Sequence, residues 1–126
     1  MHTSVEFDSD MFRPYLPDEA QVNPAVYGFE LTLWFSQQLA QRGVVTSYPQ
    51  SEDWGWYLDY LTGDGYEYMW CCANQEGSSG KWQCSLQPQK TSLFGPRAPL
   101  EAASALLLAL RELLAQEPGI TNLLWE

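Results

Sequence analysis

Basic residues and histidine are scarce in this chain of 126 residues. It contains six Lys and Arg in total and a single histidine, His2. Nucleic-acid-binding proteins neutralise phosphates with Lys and Arg, so this scarcity argues against a nucleic-acid partner. With no histidine outside the N-terminal tail, Ser-His-Asp and Cys-His catalysis are excluded as well.

Cysteines and long apolar runs are also few. The three cysteines, Cys71, Cys72 and Cys84, are odd in number and two are adjacent, so we expect reduced thiols rather than a disulfide framework. Paired cysteine or histidine spacing for zinc is missing, and we expect no metal and no cofactor. The longest apolar run, residues 105–110, is too short for a membrane span and the N-terminus does not resemble a signal peptide, so we expect a cytoplasmic protein without a membrane partner.

Acidic and aromatic residues are abundant instead. Sixteen acids give a net charge of −10. Hydrophobic residues make up 45% of the chain and aromatics 14%, which is too much apolar surface for a disordered protein. Residues 1–67 hold 11 of the acids and only two bases, Arg13 and Arg42. This part of the chain could dock on a basic protein and steer its approach. The alternative is that the charge serves solubility alone.

Helix signals occur near each end of the chain. Asn23-Pro24 is typical of a helix start and Gly43 of a helix end, which predicts a first helix at about 24–42. Leucines at spacings of three and four after Pro99 predict a second helix at about 99–116.

Between the helices, alternating apolar and polar residues predict an antiparallel meander of three to four strands. The three clearest runs are residues 54–61, 66–74 and 81–87. Residues 4–8 also alternate and could add an edge strand, while residues 1–20 are otherwise expected to be partly extended or mobile. Packed against the two helices, the meander makes a single α+β domain over residues 1–126.

The turn between the first two runs determines which side chains share a face. A two-residue turn at Gly63-Asp64 or Asp64-Gly65 is the expected hairpin chemistry. The predicted core face then holds Trp54, Trp56, Leu58, Tyr60, Met69, Cys71, Ala73, Trp82, Cys84 and Leu86. The opposite face collects Tyr57, Asp59, Leu61, Tyr66, Tyr68, Trp70, Cys72 and Asn74, which is unusually aromatic for a solvated face. Either the protein's own chain covers this cluster, or the cluster is exposed and binds a partner.

A catalytic site has few candidates. The stretch GSSGK at residues 77–81 lacks the spacing of a phosphate-binding loop and falls between two strands. A carboxylate pair beside aromatic platforms is the remaining option, but Asp59 and Glu67 point to opposite faces in the predicted register. We therefore expect no catalytic residues.

Five features carry a resemblance: EDWGW at Glu52–Trp56, Cys-x-Asn at Cys72–Asn74, Trp82 in the next strand, the Leu-rich helix, and NLLW at Asn122–Trp125. Over roughly the last three quarters of the chain, this combination resembles a pattern in small uncharacterised bacterial proteins. The resemblance implies an α-β-β-β-α domain and transfers no activity. In size, acidity and α+β build, the chain is also similar to immunity proteins, which neutralise toxins.

The functional hypothesis is a non-enzymatic, acidic interaction protein of the immunity or inhibitor type that binds a basic protein. Its partner surface is predicted to comprise Glu52, Asp53, Tyr57, Asp59, Asp64, Glu67, Tyr68 and Trp70. It would act as a monomer or as a homodimer through the sheet face. The alternative is a small-molecule or carbohydrate-binding module, or a small carboxylate-based enzyme, that uses the same acids and rings.

Overall fold

One antiparallel sheet and two helices form the part of the chain that the computed structural model describes, residues 2–14, 26–75 and 77–126. The elements are β1 (Ser4–Asp8), α1 (Phe29–Gln41), β2 (Gln50–Glu52), β3 (Gly55–Leu61), β4 (Glu67–Asn74), β5 (Lys81–Pro88), α2 (Ser104–Gln116) and β6 (Thr121–Trp125). A short 3₁₀ turn, Leu100–Ala103, leads into α2.

The strand order of the sheet is β2-β3-β4-β5-β1-β6, and every neighbouring pair is antiparallel. The predicted meander is β3, β4 and β5, and both ends of the chain extend it, with β1 between β5 and β6. The α+β class with antiparallel strands is therefore confirmed. The count of six exceeds the predicted three to four because β2 has only three residues and β6 has no polar alternation.

Both helices pack on one face of the sheet, and the hydrophobic core lies between the helices and this face. The sheet contributes Val5, Phe7, Leu58, Tyr68, Trp70, Cys72, Trp82, Cys84 and Leu86 to this core, and the helices contribute Leu31, Phe35, Leu39, Leu106, Leu110 and Leu114. The Phe35 ring meets the Trp70 ring edge to face at 5.6 Å, a favoured aromatic geometry. We call this side of the sheet the core face and the other side the open face.

Helix α1 begins at Phe29, later than the predicted start near residue 24. The predicted start signal, Asn23-Pro24, lies outside the described residues. The backbone N–H of Tyr27 donates to the Asn74 side-chain oxygen at 2.9 Å, which ties the segment before the helix to the end of β4. This hydrogen bond positions the start of α1 relative to β4.

The predicted ends of the helices agree better with the structure. Gly43 has a left-handed φ of 79° and its N–H donates to the Ala40 carbonyl oxygen at 3.1 Å, so it terminates α1 as predicted. The 3₁₀ turn and α2 together cover Leu100–Gln116. They match the predicted second helix.

The β3–β4 register differs from the prediction by one residue. The Thr62 N–H donates to the Tyr66 carbonyl oxygen at 2.9 Å, and the Gly65 N–H to the Thr62 carbonyl oxygen at 3.0 Å. Gly65 has a φ of 88°, so the connection is a three-residue loop with a left-handed glycine rather than a two-residue turn. One additional loop residue reverses the facing of every side chain on β4.

The reversal corrects the predicted faces of β4. Leu58 lies opposite Trp70 and Tyr60 opposite Tyr68. Tyr68 and Trp70, predicted on the partner surface, are fully buried in the core; Cys72 and Asn74, assigned to the same face, are also buried there. Met69, Cys71 and Ala73, predicted in the core, belong to the open face. The core assignments on β5, which are Trp82, Cys84 and Leu86, are confirmed.

The stretch SEDWGWYLDY, residues 51–60, forms a second tight hairpin, whereas the prediction was a strand that begins at residue 54. Glu52 pairs with Gly55, so Asp53 and Trp54 form the turn between β2 and β3. Trp54 is 44% exposed, whereas Trp56 is 9% exposed. The core prediction was wrong for Trp54 because the strand period does not continue through a turn.

Gly55 lies where the backbones of β3 and β4 approach each other closely. Its φ is 156°, and a Cβ placed there would lie 2.5 Å from the Cys72 carbonyl oxygen. Since that oxygen belongs to the backbone of a central strand, it cannot move aside.

We expect Gly55→Ala to lower the free energy of unfolding by about 2–3 kcal/mol, because the new methyl group overlaps backbone and the backbone angle disfavours it. Gly63→Ala is the matched control, since nothing lies within 4 Å of its Cβ position, and we expect a change below about 1 kcal/mol. Urea unfolding of both variants measures the difference. Equal effects at the two glycines would contradict the close approach.

Candidate functional site: the open face of the sheet

The open face is the side of the sheet on which neither described helix packs. Its side chains include Glu6 and Asp8 from β1, Gln50 and Glu52 from β2, Tyr57, Asp59 and Leu61 from β3, Glu67, Met69, Cys71 and Ala73 from β4, and Lys81, Gln83, Ser85 and Gln87 from β5. Most are exposed or half-buried. This face is therefore accessible to a partner or ligand.

A groove crosses the open face and is divided by the Trp54 side chain. Two adjoining cavities of about 430 Å³ each share Trp54, Cys71 and Ser85 in their walls. The first continues toward Ala73 and Glu6, and the second continues toward the residues at the other end, Met69, Gln87, Gln89 and Arg97. We call the two cavities together the Trp54 groove. It combines an indole ring, two sulfur-containing side chains and several amides.

A hydrogen-bonded cluster fixes the side chains at the β2 end of the open face. The Gln50 side-chain amide donates to the Asp59 carboxylate at 2.6 Å, and the Tyr57 hydroxyl donates to the Gln50 amide oxygen at 3.4 Å. The Asp59 N–H donates to the Ser47 hydroxyl oxygen at 2.9 Å. The Tyr57 ring lies 6.3 Å from the Trp54 ring between centroids. These contacts hold Tyr57 and Asp59 in place before binding, which reduces the ordering cost of association.

Negative charge surrounds the Tyr57 hydroxyl. Partial burial raises its pKa first, and the nearby Asp59, Glu52, Cys71 and Glu67 raise it further. The hydroxyl is therefore protonated at neutral pH and can donate a hydrogen bond.

The corrected register brings Asp59 and Glu67 to the same face. Asp59 lies opposite Met69, and Glu67 precedes Met69 by two positions on β4. The two acids are diagonal neighbours, for which Cα atoms lie roughly 7–8 Å apart. The prediction that they point to opposite faces was wrong, and its cause is the three-residue loop.

The other predicted site residues are distributed as follows. Glu52 ends β2 and is exposed, Asp53 lies in the turn beside Trp54, and Asp64 is exposed in the β3–β4 loop. Tyr57, Asp59 and Glu67 share the open face, while Tyr68 and Trp70 are in the core. The rings that the partner surface loses on β4 are replaced by Trp54, which sequence reasoning assigned to the core.

The cysteines are free thiols that differ in their surroundings. Burial, followed by the nearby Cys84 and Asp59, raises the pKa of the Cys71 thiol to about 12. Burial also raises the pKa of Cys72, which makes a side-chain hydrogen bond with Cys84 in the core. Nucleophilic chemistry by Cys71 is disfavoured because the thiolate is the reactive form.

Two kinds of feature are absent from the described ranges, a side-chain group that could hold a metal ion and a helix that could cross a bilayer. Residues 2–14, 26–75 and 77–126 contain no group of three or more His, Cys, Asp or Glu side chains that could hold a metal ion. In the same residues, neither helix has the length and apolarity needed to cross a bilayer.

Comparison with known proteins adds no further constraint. No protein family, no curated protein and no solved structure matches the chain at a significant level.

We expect Cys71 in the folded protein to react with iodoacetamide at pH 8 on the order of a hundredfold more slowly than an ordinary thiol, because its raised pKa leaves little thiolate. Peptide mapping by mass spectrometry identifies the labelled position. The urea-unfolded chain is the control, in which all three cysteines should react alike. Rapid labelling of folded Cys71 would show that its thiolate is stabilised.

Proposed function

We propose that this chain is a non-enzymatic interaction protein, of the immunity or inhibitor type, that docks on a basic protein through its open face. The observation that carries the proposal is that acidic and aromatic side chains lie together on the open face. Asp59 and Glu67 lie on the same face as Tyr57 and Trp54. The net charge of −10 supports a basic partner. We place the protein in the cytoplasm, in keeping with three free thiols.

The face supplies the two kinds of contact that protein recognition uses. Trp54 and Tyr57 are large rings toward its β2 end, and such rings contribute much of the energy at interfaces. Around them lie the carboxylates of Glu52, Asp59 and Glu67. A Lys or Arg side chain of the partner can stack on Trp54 while it pairs with an acid.

The balance of charge on the face favours a cationic partner. Lys81 lies 3.7 Å from Asp8 and offsets that acid. Arg97, at the end of the groove, donates to the Pro88 carbonyl oxygen at 3.0 Å. The acids of β2, β3 and β4 outnumber these two bases, so the face attracts a basic surface on a partner.

The alternative is a small-molecule or carbohydrate-binding module, or a small carboxylate-based enzyme. Two observations favour it: the cavities beside Trp54, of about 430 Å³ each, and the shared facing of Asp59 and Glu67. Both cavities are open grooves rather than enclosed pockets, which suits a protein surface better. Titration with sugars and metabolites distinguishes the two, since a ligand in the groove would quench Trp54 emission saturably and Trp54→Phe would abolish the quenching.

The partner can be identified by photo-crosslinking from the open face. A photoreactive amino acid at Gln87 should capture a basic protein in source cells. The same amino acid at Leu108, which is 59% exposed on α2, is the positional control and should not capture that protein.

The affinity for that partner should depend on the position of charge. We expect Glu52→Lys with Glu67→Lys to weaken binding at least about tenfold, because both acids border the ring cluster. Glu101→Lys with Glu112→Lys changes the net charge equally on the helical side and is the matched control. The measurement is Kd by calorimetry, which should also rise with added salt. Equal losses in the two double variants would mean that net charge alone acts.

A further inference from the structure

A hairpin after β5 projects the two most exposed large apolar side chains of the described residues. In this hairpin, residues 90–97, Lys90 pairs with Arg97 and the Thr91 N–H donates to the Pro96 carbonyl oxygen at 3.2 Å. At its tip Leu93 is 80% exposed and Phe94 is 94% exposed. We call it the Phe94 hairpin.

The shape of the Phe94 hairpin is fixed by its own backbone. The Gly95 N–H donates to the Ser92 carbonyl oxygen at 3.1 Å and closes a tight turn around Leu93 and Phe94. The apolar tip is therefore presented in one orientation, and no contact among the described residues explains an aromatic residue there. An exposed apolar projection of this kind is typical of an interaction site.

The charge of the Phe94 hairpin is opposite to that of the rest of the protein. Lys90 and Arg97, at its base, are two of only six basic residues in a chain with a net charge of −10. A basic, apolar hairpin complements a surface that is acidic and apolar. The open face of this same chain has those properties, with Trp54 and Met69 in the groove and Asp59 and Glu67 beside it.

The hairpin and the groove also adjoin each other. Arg97 lines the end of the Trp54 groove, next to Gln89 and Met69, yet Phe94 does not enter the groove of its own chain. A projection that borders a complementary groove allows two copies to exchange contacts about a two-fold axis, with the same patch on both. We propose that two copies of this chain pair through their open faces, each placing its Phe94 hairpin in the Trp54 groove of the other.

The contact area fits a weak dimer. A phenylalanine buries roughly 150–250 Å², so two Phe94 and two Leu93 side chains with the matching groove surface reach roughly 1,200 Å², the lower end for specific interfaces. The pairing covers the face assigned above to a basic partner, which would have to displace it. It does not depend on that partner, since it can be measured with the purified chain alone.

Sedimentation and light scattering from roughly 1 to roughly 500 μM test the pairing. We expect a concentration-dependent dimer that Phe94→Ser weakens at least about tenfold. Leu108→Ser is the matched control, an exposed leucine on α2, and should leave the dimer unchanged. Because Phe94 is almost fully exposed, the thermal unfolding midpoint of Phe94→Ser should equal that of the wild type at roughly 1 μM, where pairing adds little stability. This comparison separates lost pairing from lost folding.

Mixing two variants tests the reciprocal geometry. Phe94→Ser keeps the groove and Trp54→Ala keeps the hairpin, so a mixed pair retains one intact contact while each variant alone retains none. The mixture should therefore associate more tightly than either variant by itself. A wild-type monomer across the whole range, a dimer insensitive to Phe94→Ser, or a mixture no tighter than its components would overturn the pairing. So would a monomer that binds anionic phosphatidylserine vesicles through Phe94, which would make the hairpin a lipid contact.

Discussion

The hydrogen bond from the Thr62 N–H to the Tyr66 carbonyl oxygen determines what each face of this protein contains. It closes a three-residue loop, and the loop length sets the β3–β4 register. With this register, Tyr68 and Trp70 enter the core, and Met69 and Cys71 line the groove. A loop shorter by one residue would bury the thiol of Cys71 and expose two large rings. Core packing and the composition of the open face are thus consequences of the same turn.

A second constraint fixes the elements on either side of β4. The Cys72 carbonyl oxygen is approached by two glycines, since a Cβ would lie 3.1 Å from it at Gly28 and 2.5 Å at Gly55. Gly28 immediately precedes α1, and Gly55 begins β3 directly after Trp54. The close approach therefore positions both the start of the helix on the core face and the indole ring over the open face. The fold and the candidate site depend on one carbonyl group.

Local patterns in the sequence predicted most helices and strands. The predictions were wrong where the length of a loop, changed by one residue, decides which face of the sheet a side chain lies on. Helix periodicity and Gly43 located the helices, and alternation located β3, β4 and β5. Within β3, alternation alone places Tyr57 and Asp59 on one face. Whether Glu67 lies on the same face as these two residues depends on the length of the loop between Thr62 and Tyr66. The sequence Gly-Asp-Gly is compatible with both two- and three-residue loops, so it does not determine that length. Trp54 was misassigned because the turn at Asp53-Trp54 lacks the glycine usual in a two-residue hairpin turn. The position of β1 beside β5 is a non-local pairing that no local pattern encodes.

The open face exists in this form only if Asp59 lies opposite Met69, and nuclear Overhauser effects measure that directly. The hydrogen bond between Thr62 and Tyr66 makes Asp59 and Met69 a non-hydrogen-bonded pair, in which Cα atoms are only about 4.5 Å apart. We expect a strong cross-strand contact between the α-protons of Asp59 and Met69, and another between those of Tyr57 and Cys71. Contacts from the Asp59 α-proton to Tyr68 or Trp70 instead would contradict the register and the open face built on it.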